Sequence, residues 1–241
     1  MDTFAVLGGD LRCIYLAKLL ADDGYPVVAA GFDQTELPDG VTGCSKITQA
    51  AAVADCVILP LPVTTDGVTL NAPLARHPVA LEEVIASLQP RQLIFGGRLT
   101  EELGKQFTPH GLSIYDYFSR EELAVQNAVP TAEGAIQLAM EELPITVRDA
   151  RCLVTGYGRV AKALTRALTA LGAHVTVAAR RCSDRAAAQC EGCAAVTPDE
   201  IPLGDGYDVY FNTVPALLFP AEVLERLPKG ALLIDLASRP G

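Results

Sequence analysis

Residues 151–161 read Arg151-Cys-Leu-Val-Thr-Gly156-Tyr-Gly158-Arg-Val-Ala161. An apolar run leads into G-x-G-x-x-A, and an amphipathic stretch, Arg159–Leu171, follows it. Strand, glycine turn and helix in that order make a phosphate-binding βα turn. Gly156 permits the tight turn, Gly158 lets the backbone approach a pyrophosphate, and Ala161 lets the helix pack close to the strand. The helix N-terminus adds amide donors. Gly156, Tyr157, Gly158, Arg159 and Val160 are therefore candidate dinucleotide-binding residues.

Outward from this turn, a second strand over His174–Ala179 ends in Arg180-Arg181-Cys182-Ser183. In NAD-binding sheets an acid roughly 20 residues past the glycines takes the ribose 2′-hydroxyl. Two guanidinium groups and a hydroxyl suit a 2′-phosphate instead. Arg180, Arg181 and Ser183 thus predict NADP rather than NAD. The pattern continues with a helix over Asp184–Cys190, strands over Ala194–Val196 and Asp208–Asn212, a helix over Ala221–Arg226 and a strand over Ala231–Leu236. Asn212-Thr213-Val214-Pro215 and Asp235-Leu-Ala-Ser238-Arg239 follow strands at the edge where parallel sheets bind ligands. The first loop is expected at the nicotinamide ribose, and Ser238 and Arg239 at the substrate.

The first half has the same rhythm, with strands expected over Thr3–Leu7, Val27–Ala30, Cys56–Leu59, Gln92–Phe95 and Leu112–Tyr115, and a clear helix over Leu11–Leu20. Five strands fit one open sheet. Its opening turn, Gly8-Gly9-Asp10-Leu-Arg12, lacks the third small residue of the fingerprint and predicts no second dinucleotide site. Asp10 and Arg12 either cap a helix and pair with each other or face a ligand cleft. Gly96-Gly97-Arg98 repeats the pattern of glycines and an arginine after a strand. The fold class is α/β with two doubly wound parallel-sheet domains: a flavodoxin-like or Rossmann-like substrate domain over residues 1–126 and a Rossmann NADP-binding domain over 127–241. The second is reached through a helical stretch, Glu121–Leu143, which Pro130 is expected to kink or split.

Half of the 241 residues are hydrophobic, so disorder is excluded. A net charge of −10 repels nucleic acid and anionic membranes, so an anionic substrate would need arginines gathered locally. No export signal or membrane-spanning run stands out, which predicts a cytoplasmic protein, and the seven cysteines read as reduced thiols. Cys190 and Cys193 form a lone CxxC without a second pair or a histidine at zinc spacing, so no metal site is expected.

Gly8-Gly9-Asp10-x-Arg12, Asn127-Ala-Val-Pro130-Thr-Ala-Glu133-Gly-Ala-Ile136, Gly156-Tyr-Gly158-Arg159, Asn212-Thr-Val-Pro215 and Asp235-Leu-Ala-Ser-Arg-Pro-Gly241 together resemble the dipicolinate synthase A-subunit family nearly end to end. The resemblance implies an enzyme of the mother-cell cytoplasm in sporulation. With the flavoprotein-like B-subunit of dipicolinate synthase, it would oxidise a dihydro- or hydroxytetrahydrodipicolinate of the lysine pathway to pyridine-2,6-dicarboxylate and pass hydride to NADP. Members of that family continue for some tens of residues past the Arg-Pro-Gly motif, in a segment expected to return toward the first domain.

A planar dicarboxylate needs positive groups at both ends, which makes Arg12, Arg98 and Arg239 the substrate candidates, with Asp10 and Ser238 beside them. Asp116 and Glu133 are the candidates for the base that removes a ring proton. Two other readings share these features: a dehydrogenase of the 2-hydroxyacid type, which would be expected to show a histidine–acid pair, and a noncatalytic nucleotide-binding protein. Whether the chain forms a homo-oligomer is not legible in the sequence.

Overall fold

A computed structural model describes residues 2–201 and 206–237. The chain divides into two units, Met1–Leu123 and Ala124–Gly241. In the first, strands β1 (Phe4–Leu7), β2 (Val27–Ala30), β3 (Val41–Cys44), β4 (Cys56–Ile58), β5 (Leu93–Gly96) and β6 (Ile114–Asp116) form one sheet in the order β3-β2-β1-β4-β5-β6, every pairing parallel. This is the Rossmann order and not the flavodoxin one. Helices α1 (Leu11–Asp22), α2 (Ile47–Val53), α3 (Leu81–Ser87) and α4 (Glu101–Phe107) accompany it. The sheet has six strands, not the expected five. The missed one, β3, is an edge strand of sequence Val-Thr-Gly-Cys, partly exposed on every residue and therefore without the apolar run that marks its neighbours.

In the second unit, β7 (Arg151–Thr155), β8 (His174–Ala178), β9 (Ala194–Val196), β10 (Val209–Asn212) and β11 (Leu232–Asp235) form a parallel sheet in the order β11-β10-β7-β8-β9. Counted within the unit, the first, second and third strands lie on one side and the fourth and fifth on the other, the arrangement of the first sheet without its sixth strand. Strand β7 is central and almost wholly buried.

Helix α5 (Glu121–Glu142) is continuous through Pro130, against the expectation of a kink or split. Pro130 lies on the exposed face, as does Gln126, whose carbonyl would have received the missing N–H, so water can satisfy that group. The Thr131 hydroxyl donates to the Asn127 carbonyl at 2.9 Å. Along the opposite face Ala128, Ala132, Ala135, Ile136 and Ala139 are buried, and the last four join the core of the second unit. Helix α6 (Arg159–Ala170) buries Ala161, Leu164, Thr165 and Leu168, the i, i+3, i+4, i+7 face that packs on a sheet. Helices α7 (Cys182–Cys190) and α8 (Ala221–Leu224) complete the unit.

Candidate functional site

The carboxyl end of β7 leads into Gly156, whose φ of +79° only glycine adopts readily. A Cβ there would meet Val214 Cγ2 at 2.8 Å and Thr213 Oγ1 at 3.0 Å, so this glycine is demanded by conformation and by packing. Gly158 differs. Its φ of −80° suits any residue, and a Cβ would meet nothing within 4 Å. It is the N-cap of α6 and offers no side chain to the first-turn amides. Open space over a helix N-terminus is the vacancy a pyrophosphate fills.

Beside this turn lies a cleft of about 450 Å³. It brings together Gly156 and Tyr157 after β7, Arg180 and Arg181 after β8, and Val214 after β10, with Asp184 and Asp199 as its acids. Arg180 and Arg181 are exposed and pair with no carboxylate among the described residues. Ser183 is exposed in the first turn of α7, and it, Gly158, Arg159, Val160, Asn212, Thr213 and Pro215 lie outside the cleft lining. The residues therefore fit a nicotinamide dinucleotide: an open glycine turn, a concave wall and two cations at the end of the second strand.

Two groups that hold the cleft's loops, Arg185 and Thr155, are absent from the sequence-based candidates. Arg185 donates from Nη1 to the carbonyls of Ala179 and Arg180, both at 2.8 Å, and so fixes the loop bearing the two arginines. Thr155, fully buried, donates its hydroxyl to Asn212 Oδ1 at 2.6 Å. Asn212 Nδ2 in turn donates to Asp235 Oδ1 at 3.0 Å and the Val214 carbonyl at 3.1 Å, while the Val214 N–H donates to Asn212 Oδ1. The Thr213 hydroxyl is bound to the Thr155 carbonyl at 2.7 Å. The Asn212 and Thr213 side chains thus tie together the ends of β7, β10 and β11.

Tyr157 is buried, and its ring lies 5.4 Å from Lys162 Nζ. Burial, with the Glu191 carboxylate nearby, pushes its hydroxyl up to about 12. Glu191 is held below the usual carboxylate range mainly by Arg166, which pairs with it at 2.8 Å.

On the first sheet, Asp10 caps α1 by accepting the Arg12 N–H at 3.0 Å and pairs with the Arg12 guanidinium at 2.8 Å. Of the two expected arrangements this is the mutual pairing, and it places Asp10 below the usual carboxylate range chiefly through the Arg12 side chain. Arg12 also donates to the Leu61 carbonyl. Arg98 is exposed in a left-handed conformation, φ +59°, which a non-glycine residue holds only when its surroundings impose it. The imposing group is Asp116. Its carboxylate accepts the N–H groups of Arg98 (3.1 Å), Leu99 (3.0 Å) and Phe118 (2.8 Å). Glu133 is exposed on α5 in the other unit, and Ser238 and Arg239 lie outside the described residues.

Comparison with known proteins gives a match to each half of the chain. The family model for the N-terminal domain of the dipicolinate synthase A-subunit matches residues 3–118, and one described as "Putative NAD(P)-binding" matches 143–227. The dipicolinate synthase A-subunit of Bacillus subtilis is 30% identical over 98% of this chain and 81% of its own length. The crystal structure of the Bacillus subtilis protein superposes with a TM-score of 0.83 at 28% identity, covering 100% of this chain and 82% of the other. The dipicolinate synthase A-subunit from Bacillus halodurans gives 0.87 at 28% identity, over 100% and 83%. With both halves matched and one relative at 30% identity aligned along nearly the whole of this chain, the chain belongs to the dipicolinate synthase A-subunit family.

Proposed function

We propose that the protein is the NADP-dependent component of a dipicolinate synthase, acting with a B-subunit in the mother-cell cytoplasm of a sporulating bacterium. The observation that carries this reading is the open Gly156–Gly158 turn with Arg180 and Arg181 at the end of β8, in a chain of this family. Conversion of a dihydrodipicolinate to pyridine-2,6-dicarboxylate removes one hydride and one proton. A bound nicotinamide would supply the hydride acceptor. The α6 amides and Gly158 would hold its pyrophosphate, and Arg180 and Arg181 its 2′-phosphate.

Arg98 and, by sequence, Arg239 are the cations for the two carboxylates, with Arg12 engaged by Asp10 and the Leu61 carbonyl, and the imposed backbone of Arg98 supports its part. For the proton, Glu133 is the better candidate. Both oxygens of Asp116 already receive backbone N–H groups, which suits it to hold the Arg98 loop. That engagement also favours a second reading, in which this chain binds dinucleotide and the B-subunit completes the chemistry.

Calorimetric titration with NADP and NAD tests the cofactor, and dihydrodipicolinate oxidation with and without the B-subunit tests the role. Preference for NADP that disappears in Gly158→Asp is expected. Equal affinity of parent and Gly158→Asp for NADP would falsify the cofactor site, and NADP binding with turnover only when the B-subunit is added would establish the second reading.

A further inference from the structure

The first sheet has a polar pocket of its own, of about 420 Å³, at the carboxyl ends of β2 and β3. Asp33 after β2, Ser45, Lys46 and Thr48 after β3, and Arg76 from the segment after β4 line it. These are the strand ends that, with the glycine turn, build the cleft of the second sheet. Asp33 stands three residues past the end of β2, as Arg181 stands three past the end of β8. An acid there reads a ribose diol, roughly 20 residues beyond the glycines. Thus the first unit carries an acid at the position where the second carries Arg181.

What the first unit lacks is room for a pyrophosphate. Where the N-cap of α6 is Gly158, the N-cap of α1 is Asp10, whose carboxylate takes the Arg12 N–H at 3.0 Å, and the Gly9 N–H is already bound to the Asn71 carbonyl at 2.9 Å. The segment that fills the turn then continues over the pocket. Gln34 holds it through the Leu74 and Ala75 carbonyls, and the Arg76 N–H donates to Asp33 Oδ2 at 3.1 Å, leaving Oδ1 for another donor. Lys46 and Arg76 side chains pair with no carboxylate among the described residues. Within a chain of net charge −10, two unpaired cations and His77 gathered at one strand edge, against Glu83 as the second acid, favour a single phosphate.

We infer that this pocket takes a phosphorylated ribose, its 2′,3′-diol on Asp33 and its phosphate on Lys46 and Arg76. The filled glycine turn limits the ligand to one phosphate group and excludes a dinucleotide. Nothing in the inference depends on the cofactor assigned to the second sheet.

Adenosine 5′-monophosphate and ribose 5-phosphate are the probes, titrated into the full ¹⁵N-labelled chain carrying Arg180→Ala and Arg181→Ala, which weakens the other cleft. Amide shifts at Gly31, Ser45 and Thr48 that saturate are expected for at least one probe. Saturation by both would identify a sugar phosphate as sufficient, and by the nucleotide alone would show that the base is read. Lys46→Ala, an exposed change that removes no contact, should lower affinity at least tenfold, and Asp33→Asn should do the same while 2′,3′-dideoxy nucleotide binds parent weakly. Absence of saturable shifts with either probe, affinity unchanged in Lys46→Ala, or equal binding of the dideoxy analogue would overturn the inference.

Discussion

The two sheets share a strand order and differ in what stands over their first glycine turn. Over Gly158, the N-cap of α6, there is open space, whereas the N-cap of α1 is Asp10, whose own carboxylate takes the Arg12 N–H, and the Gly9 N–H before it is bound to Asn71 of the chain's segment 70–72. One topology can therefore present a vacancy for a ligand or fill that vacancy with protein, and the strands do not decide which. The segments around the turn decide it: after β10 Thr213 and Val214 pack on Gly156 and leave Gly158 open, while after β4 the chain folds back to put the Asn71 carbonyl on the Gly9 N–H. A glycine pattern is evidence for a site only when nothing from the same chain occupies the cradle.

The largest expected effect tests how each sheet holds its strand ends. Asn212 is buried and linked to Thr155, Val214 and Asp235, so Asn212→Leu strands several buried polar groups and should cost about 3 kcal/mol. Asn71, the part of the filling segment that binds Gly9, uses its side chain only to donate to the Pro62 carbonyl. Asn71→Leu should cost about 1 kcal/mol. Urea unfolding of both variants checks the contrast, and similar costs would break it.

Next come the glycines themselves. Gly158→Ala fits its backbone and meets no atom, so the thermal midpoint should move little while NADP affinity falls about 100-fold, near 2.7 kcal/mol. Gly8→Ala introduces a side chain at φ +66° against Ala72 and Leu70 and should destabilise by about 1–3 kcal/mol with NADP affinity intact. Differential scanning calorimetry paired with titration separates the two. If Gly8→Ala impaired dinucleotide binding and Gly158→Ala did not, the roles assigned to the two turns would be reversed.

A smaller effect is expected from the ends of the second strands. Replacing both Arg180 and Arg181 by alanine should weaken NADP about tenfold, near 1.4 kcal/mol, and leave NAD within a factor of two, because only the 2′-phosphate would lose its partners. Parallel fluorescence titrations with NADPH and NADH read this directly. Equal losses for both cofactors would show that the arginines contribute general positive charge and not phosphate recognition.

The sequence made the second unit more legible than the first. Strands β7 and β9 match their expected limits, and the fingerprint stands in its strand–turn–helix context. Short-range order of this kind is carried by apolar periodicity and glycine placement, which neighbouring residues express together. Strand β3 was hidden because an exposed edge needs no apolar run. Pro130 misled because its cost depends on which face of α5 meets water. The engagement of Asp116 by Arg98, Leu99 and Phe118, the Arg185 clamp and the filling of the Gly8 turn are all contacts between segments, and no local pattern encodes them. Candidate residues could thus be named from sequence, while their division into ligand-facing and loop-holding groups required the fold.

The smallest effect concerns the one candidate pair that the fold closes on itself. Asp10→Asn keeps a side chain that caps α1 and removes only the charge shared with Arg12. The pair is exposed, so screening leaves it a few tenths of a kcal/mol at neutral pH. Because the folded-state pKa of Asp10 lies below its ordinary value of 3.8, its contribution is fully present above that value and is lost as pH falls through the lower, folded one. The stability difference between parent and variant should accordingly be small and constant from pH 7 to about 5, and should vanish toward the acid limb, as read by urea midpoints across pH. A difference that grew on acidification would mean that the Asp10 carboxyl gains stability on protonation, and that its pairing with Arg12 is not the state the folded protein prefers.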